Sequence, residues 1–119
     1  MKNSISVTSP EKEEVVESDY AWCAGLFDGE GTTSVLKAQR DKYGYVRMSV
    51  PQKIREDLDK FQSIVKVGNI YEHKGRPMHS LDIYKKEDVI NCLNMLWPYL
   101  SEVKKVQALK AFEKAESYR

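Results

Sequence analysis

The chain has 119 residues, of which 41% are hydrophobic, and its formal net charge is +1. This length and apolar content are sufficient for one domain with a buried core. The sequence has no run of about 18 apolar residues, which excludes a membrane-spanning helix, and its N-terminus lacks the basic and apolar regions of a secretory signal.

The N-terminal part of the chain divides into two regions. Residues 1–17 are polar, acidic and without periodicity, which predicts a flexible acidic tail. A single domain is expected over residues 18–119. Ser18 or Asp19 is a suitable N-cap for the first helix. The glycines within residues 28–31 suit the end of that helix.

Periodicity predicts the remaining elements. In chain order they are strands at 32–38 and 45–50, a helix at 52–67, strands at 69–73 and 78–84, and helices at 86–97 and 101–117. Within 45–50 the apolar side chains alternate strictly, so one face of that strand is expected to contact the core. The expected core-facing stripe of the last helix consists of Val103, Val106, Leu109 and Phe112.

The order α-β-β-α-β-β-α-α predicts an α+β fold built on a repeated α-β-β unit. No single helix can cover the sheet, so we expect a curved antiparallel sheet with the helices on one face and an extra C-terminal helix. The other face would be polar and basic, which suits binding to a charged polymer.

Charge is distributed unevenly along the chain. Residues 1–30 contain two lysines and seven acidic residues, whereas residues 37–55 contain six basic residues and one aspartate. A basic surface built on one segment is typical of a face that binds phosphates. A solvated loop of mixed charge would have the same composition, so charge alone leaves both interpretations open.

The two cysteines, Cys23 and Cys92, lie within apolar patterns and lack the spacing of metal ligands. They are expected to be small buried side chains in a reducing compartment. We therefore expect an intracellular protein of the cytoplasm, nucleoid or an organelle matrix that is not secreted.

The first helix presents a face of small residues. Ala21, Gly25 and Gly29 lie four residues apart, a spacing that lets another helix approach closely. The alternative is packing of this face within one domain. If two copies of the helix end side by side, two copies of Glu30 meet, and their repulsion calls for a cation. Carboxylate oxygens favour Mg²⁺.

The nine residues Cys23–Gly31 (CAGLFDGEG) resemble the LAGLIDADG motif of homing endonucleases, matching it at Ala, Gly, Leu, Asp and the final Gly. The resemblance extends over about residues 19–112. Departures are Phe for Ile, Gly for Ala, Glu for the second Asp and Cys for the leading Leu. The resemblance implies a site-specific, metal-dependent double-stranded DNA endonuclease that acts as a homodimer on a pseudo-palindromic target. It implies Mg²⁺ or Mn²⁺ and no small-molecule cofactor.

The resemblance also implies roles for individual residues. Glu30 would be the metal carboxylate, with the Gly29 carbonyl as a second ligand. Gln52 would orient the attacking water and Lys104 would stabilise the charge that develops on the phosphate. Arg55 is a fourth catalytic candidate, in a segment whose register is ambiguous. The expected dimer interface consists of Ala21, Ala24, Gly25, Phe27 and Asp28.

DNA contacts are expected from the outward side chains of the strands, because a two-stranded ribbon fits the major groove. The candidates are Ser34, Arg40, Lys42, Tyr43, Tyr45, Arg47, Ser49, Tyr71, His73, Lys74, Arg76, Ser80 and Asp82. Lys42, Lys74 and Arg76 are expected to bind phosphates.

Two other functions fit the same sequence. One is a non-catalytic DNA- or RNA-binding module, such as a splicing cofactor or a regulator, and the other is a protein-interaction domain. The presence of Glu30, Gln52 and Lys104 together favours the nuclease, and the basic outward residues disfavour the interaction domain.

Overall fold

The computed structural model describes residues 9–37 and 44–118, with side chains described from residue 17 onwards within these ranges. The helices are α1 (Ser9–Glu30), α2 (Arg55–Val65), α3 (Lys86–Leu96) and α4 (Glu102–Glu116), with a 3-10 turn at Trp97–Tyr99 before α4. The strands are β1 (Thr32–Leu36), β2 (Tyr45–Gln52), β3 (Asn69–Glu72) and β4 (His79–Ile83). In the described part of the chain, no helix has the length and apolar character needed to cross a bilayer.

The four strands form one antiparallel sheet in the order β1-β2-β4-β3. This topology and the order of elements confirm the expected α+β fold. Val46, Met48 and Val50 are buried, as the alternation predicts, and Leu81 and Ile83 of β4 share their face. The helices cover this face and contribute Phe27, Leu58, Phe61, Val89 and Leu96 to the same core.

Both cysteines belong to this core. Cys23 and Cys92 are free thiols with no exposed surface, which confirms that they are buried. Burial is the main reason that the pKa of each thiol is raised to about 12. Both thiols therefore stay protonated at neutral pH and are poor nucleophiles.

Helix α1 begins much earlier than expected. Its first residue is Ser9 rather than Ser18 or Asp19, so residues 9–17 of the expected tail are helical. Pro10 is compatible with this start, because a first-turn residue has no intrahelical partner for its backbone N–H. An acidic sequence also suits the positive end of the helix dipole. Residues 1–8 lie outside the described residues.

The boundary between β2 and α2 also differs from expectation. The predicted start of the second helix at Gln52 is wrong, because Gln52 extends β2 and pairs with His79 of β4. Helix α2 begins three residues later, at Arg55. Gln52 is therefore the last residue of β2, and it lies at the same end of the sheet as the C-terminus of α1.

The expected core-facing stripe of α4 is wrong except at Phe112, which packs against the core. Val103 is 73% exposed and Leu109 is 60% exposed, whereas Ala108 and Ala111 are buried. Helix α4 packs closely on β1, and the Gln107 side chain accepts a hydrogen bond from the Thr33 backbone N–H at 3.0 Å. Small residues permit this close approach, and Val103, Val106 and Leu109 are left exposed.

This orientation predicts opposite responses at two neighbouring positions. Ala108→Leu is expected to lower the free energy of unfolding by about 1–3 kcal/mol, because the added atoms have no space. Leu109→Ala is expected to change it by less than about 0.5 kcal/mol, since the side chain is mainly in water. Urea unfolding of the two variants tests the orientation, and a larger loss from Leu109→Ala would contradict it.

Candidate functional site

The C-terminal end of α1 concentrates negative charge. Asp28 and Glu30 lie in the last turn, which contains no basic residue. The carbonyl end of a helix already carries partial negative charge, so acidic residues there are unfavourable unless a positive group is nearby. If stability alone determined the sequence, basic residues would be expected at this end of the helix. The pattern therefore indicates a cation-binding site or a positive partner.

Asp28 has its positive partner within the chain. Both of its carboxylate oxygens accept from the Ser101 backbone N–H, at 3.1 and 3.2 Å. Ser101 is the N-cap of α4, and its hydroxyl accepts from the Lys104 backbone N–H. The carboxylate thus lies at the positive end of α4. Asp28 therefore joins the end of α1 to the start of α4, and this contact agrees with a structural role.

Glu30 has no such partner. Its side chain is exposed, and no hydrogen bond or ion pair within the described ranges involves its carboxylate. The neighbouring cation is directed elsewhere: the Lys104 ammonium donates to the Gly31 carbonyl at 2.6 Å. Lys104 also lies near the Phe27 ring, 6.0 Å from its centre. Lys104 is therefore held at the residue that directly follows the unpaired Glu30, at one corner of the molecule.

The sheet register brings Gln52 to this corner. Thr32, two residues after Glu30, pairs with Ser49. Beyond this pair, β2 runs on to Gln52, towards the end of the sheet where α1 ends and β1 begins. Gln52 and Glu30 therefore lie at the same end of the sheet, where Lys104 contacts Gly31.

Arg55 is further along the chain, at the first residue of α2. Its guanidinium group forms an ion pair with Asp59 at 3.4 Å, and both side chains are about half exposed (51% and 52%). The catalytic role expected for Arg55 stays a prediction.

The small face of α1 is free of contacts with its own chain. Ala21, Gly25 and Gly29 are exposed, and a Cβ atom added at either glycine would meet no atom within 4 Å. The alternative that this face packs inside one domain is therefore wrong for the described residues. Gly31 differs, because a Cβ atom there would lie 2.2 Å from the Phe27 ring.

Two residues of the expected dimer interface belong to the core instead. Ala24 and Phe27 have no exposed surface, so their assignment to the interface is corrected. Ala24 and Phe27 are turned towards the core, whereas Ala21 and Gly25 are exposed, and the Phe27 ring packs against Gly31. In the sequence alone Ala24 and Gly25 are both small, and only the packing of α1 distinguishes them.

The face of the sheet away from the helices carries most of the expected DNA contacts. Tyr45 and Tyr71 are exposed, at 38% and 44%. Ser34 pairs with Arg47 across β1 and β2, and Ser34, Arg47 and Ser49 are half-buried. The expected outward direction of Ser34 is consistent with the burial of Thr33 on the other face.

The turn between β3 and β4 presents two basic residues. Lys74 and Arg76 are exposed, and the turn is closed by a hydrogen bond from the His73 N–H to the Met78 carbonyl at 2.9 Å. The His73 ring lies 3.3 Å from the Ser80 hydroxyl. Three further expected DNA-binding residues, Arg40, Lys42 and Tyr43, lie outside the described residues.

Ser80 and Asp82 are on the expected face but are buried, at 6% and 7% exposure. Asp82 accepts from the Ser49 hydroxyl at 2.6 Å and from the Tyr84 hydroxyl at 3.2 Å. Desolvation is the main cause that raises the pKa of Tyr84, and the nearby Asp82 raises it further. Arg47 has the opposite effect and lowers it. Tyr84 was not among the residues expected to contact DNA, although it continues the alternation of Ser80 and Asp82.

The second histidine is also part of the sheet. His79 lies 3.5 Å from Glu72, and 16% of its side chain is exposed. Among the described residues, no group of three or more His, Cys, Asp or Glu side chains is arranged to hold a metal ion.

Comparison with known proteins gives a family match. A family model for LAGLIDADG endonucleases matches residues 23–116. Among solved structures, an archaeal intron-encoded homing endonuclease, I-Vdi141I in complex with DNA, is 28% identical with a TM-score of 0.70, over 87% of this chain and 69% of that chain. No curated protein matches this sequence.

Two other solved structures share the fold at lower identity. The homing endonuclease I-CvuI, in complex with the I-CreI target, is 24% identical with a TM-score of 0.71, over 79% of this chain. This chain spans only 63% of the length of I-CvuI. The homing endonuclease I-TnaI is 18% identical with a TM-score of 0.68, over 84% of this chain and 77% of that chain.

Proposed function

Because this chain belongs to the LAGLIDADG endonuclease family, we propose that it is a site-specific double-stranded DNA endonuclease. It acts as a homodimer, requires a divalent metal ion and cleaves a pseudo-palindromic target. The observation that carries this proposal is the position of Glu30: an unpaired carboxylate at the end of a helix whose small face has no contacts with the other described residues.

The homodimer is supported by the shape of α1. Ala21, Gly25 and Gly29 form a strip without bulk, and nothing in the described chain covers it. A second copy of the same strip is the simplest complementary surface, since closed two-fold contacts are the commonest in soluble oligomers. In that arrangement the two copies of Glu30 lie close to the two-fold axis.

The donor set at this end of α1 fits Mg²⁺ or Mn²⁺. Glu30 offers a carboxylate and Gly29 a backbone carbonyl, both of which are hard oxygen ligands. One copy offers too few ligands for a closed site, which agrees with a metal that keeps waters and binds substrate phosphate oxygens. A bound metal ion would polarise the scissile phosphate and lower the pKa of a coordinated water.

The other two residues at the corner have complementary roles. The amide of Gln52 can accept and donate hydrogen bonds, so it can orient the attacking water. Lys104 brings a fixed positive charge to the side of the phosphate where negative charge develops. Its hydrogen bond to the Gly31 carbonyl holds the ammonium group in place before DNA binds.

DNA is the proposed substrate because the relatives I-Vdi141I and I-CvuI were both solved with DNA. The exposed sheet face would lie in the major groove, with Tyr45 and Tyr71 available to bases. Lys74 and Arg76 would bind phosphates and set the register.

The proposal is tested with the full chain and a randomised duplex library. Cleavage is measured with Mg²⁺ and with the metal removed by EDTA, and cut ends are sequenced. We expect Mg²⁺-dependent double-strand cleavage at a sequence with two-fold symmetry. Binding without cleavage in Mg²⁺ and in Mn²⁺ would instead favour the non-catalytic nucleic-acid-binding module.

A further inference from the structure

A connected set of polar side chains lies on the exposed sheet face, between β2 and the end of β4. Ser49 and Asp82 are directly paired across these strands. The Ser49 hydroxyl donates to one oxygen of Asp82 at 2.6 Å, and the Tyr84 hydroxyl donates to the other at 3.2 Å. Arg47 lies beside the Tyr84 hydroxyl. We call Arg47, Ser49, Asp82 and Tyr84 the β2–β4 polar group.

The hydrogen bonds to Asp82 in this group each have a defined donor and acceptor. Ionised Asp82 can only accept hydrogen bonds, and both of its oxygens have donors. The Tyr84 hydroxyl donates its proton to Asp82, so its oxygen can still accept a hydrogen bond, and Arg47, next to the Met48–Ile83 pair that Tyr84 also adjoins, is the neighbouring donor. The Tyr45 ring lies 6.2 Å from the Tyr84 ring and flanks the same site.

Burial distinguishes Asp82 from Arg47. Asp82 is 7% exposed and is covered by its neighbours, so little of its carboxylate is available to a base. Arg47 is half-buried, and its Nε atom is buried without a hydrogen-bond partner among the described residues. The lower part of the guanidinium group is thus enclosed by the sheet, which limits the directions that the side chain can take.

We propose that Arg47 reads a guanine in the DNA target and that Asp82 and Tyr84 are positioning residues that orient its guanidinium group without touching a base. This inference rests on the proposed function and adds the base that is recognised. An arginine donates two parallel hydrogen bonds to O6 and N7 of guanine in the major groove, a geometry that requires a fixed guanidinium plane.

The nearby negative charge favours a base over a phosphate as the partner of Arg47. Asp82 offsets part of the positive charge of Arg47, which weakens its attraction to any phosphate irrespective of sequence. Lys74 and Arg76, in the exposed β3–β4 turn, have the sequence-independent role instead. In a two-fold symmetric dimer each subunit supplies one Arg47, so one guanine is expected at the same place in each half-site.

The test selects binding sites from a randomised duplex library with the full chain in a Glu30→Gln background, which prevents cleavage. Arg47→Gln, Asp82→Asn and Tyr84→Phe are compared with this background for guanine preference at every position. Tyr99→Phe is the matched control, because Tyr99 is 38% exposed and Tyr84 is 37% exposed. Lys74→Gln is the control for a phosphate contact.

We expect Arg47→Gln to lower the guanine preference at one position of each half-site by roughly tenfold or more. Tyr84→Phe and Asp82→Asn should lower it at the same position by about threefold. Tyr99→Phe should leave all preferences unchanged, and Lys74→Gln should weaken binding evenly across sequences. Tyr84→Phe removes a single hydroxyl from a residue that is 37% exposed, so it keeps the test valid even if Asp82→Asn fails to fold.

The outcomes distinguish a failure of this inference from a failure of the proposed function. An unchanged guanine preference in Arg47→Gln overturns the reading role, whether or not the wild-type chain cleaves DNA. A loss in Tyr84→Phe that is spread evenly over all positions overturns the positioning role. If the Glu30→Gln background retains no DNA, both the inference and the proposed function fail. If wild-type protein selects a site but never cleaves it, only the proposed nuclease function fails.

Discussion

Replacing Glu30 with glutamine is expected to reduce Mg²⁺-dependent DNA cleavage by about 10²–10³-fold or more, with little loss of DNA binding. The amide keeps the size of the side chain but removes the charge that a hard divalent ion requires. Glu30 is exposed and has no partner within the described ranges. Its replacement should therefore change the free energy of unfolding by less than about 0.5 kcal/mol. Single-turnover cleavage and urea unfolding measure the two effects.

The same variant has a second effect that a general loss of activity would not produce. In EDTA the wild-type dimer holds two unneutralised copies of Glu30 close together, and their repulsion opposes association. Glu30→Gln should therefore dimerise more tightly than wild type without metal, which sedimentation can measure. Glu113→Gln, at an exposed glutamate near the end of α4, is the control and should change neither property. Undiminished cleavage by Glu30→Gln would rule out the proposed metal site.

Gly25→Leu is expected to weaken dimerisation on the order of a hundredfold or more and to abolish cleavage at protein concentrations where wild type is active. Two-fold symmetry places the added side chain in the interface twice, and each overpacked side chain costs about 1–3 kcal/mol. The variant is informative because a Cβ atom at Gly25 meets nothing within its own chain. The isolated fold should even gain about 0.5–1 kcal/mol, since glycine is unfavourable inside a helix.

Analytical ultracentrifugation and denaturant unfolding separate these two effects. Ser63→Leu, at an exposed position of α2, adds a comparable side chain outside α1 and should leave the dimer intact. A Gly25→Leu protein that remained dimeric and active would show that the small face of α1 is not the interface. A Gly25→Leu protein that unfolded more easily would contradict the open position of this glycine.

Local sequence patterns predicted much of the fold. The alternation of Val46, Met48 and Val50 depends only on the two-residue period of a strand, and the structure confirms it. The element order predicted an antiparallel sheet covered by helices on one face. The motif at Cys23–Gly31 located the end of α1, Glu30 and the small face, because each of these depends on residues within a few turns of one helix.

Other features depended on contacts between distant parts of the chain. The apolar stripe of Val103 and Leu109 has helical spacing, and so do Ala108 and Ala111. Residue size suggested that the larger stripe faces the core, whereas close packing of α4 on β1 buries the alanines. Likewise, Ala24 and Gly25 are neighbours of similar size, and only the position of the core decides that Ala24 is buried and Gly25 is exposed.

The sequence by itself determined the strand alternation, the order of elements and the motif that ends in Glu30, because short-range periodicity and residue type are sufficient for each. Only the tertiary structure decided that Asp28 binds the start of α4 and that Lys104 contacts Gly31, since both contacts join residues separated by 73 positions. It also decided that Asp82 is held by Ser49 and Tyr84. Such contacts depend on how helices and strands pack, and no local pattern encodes that packing.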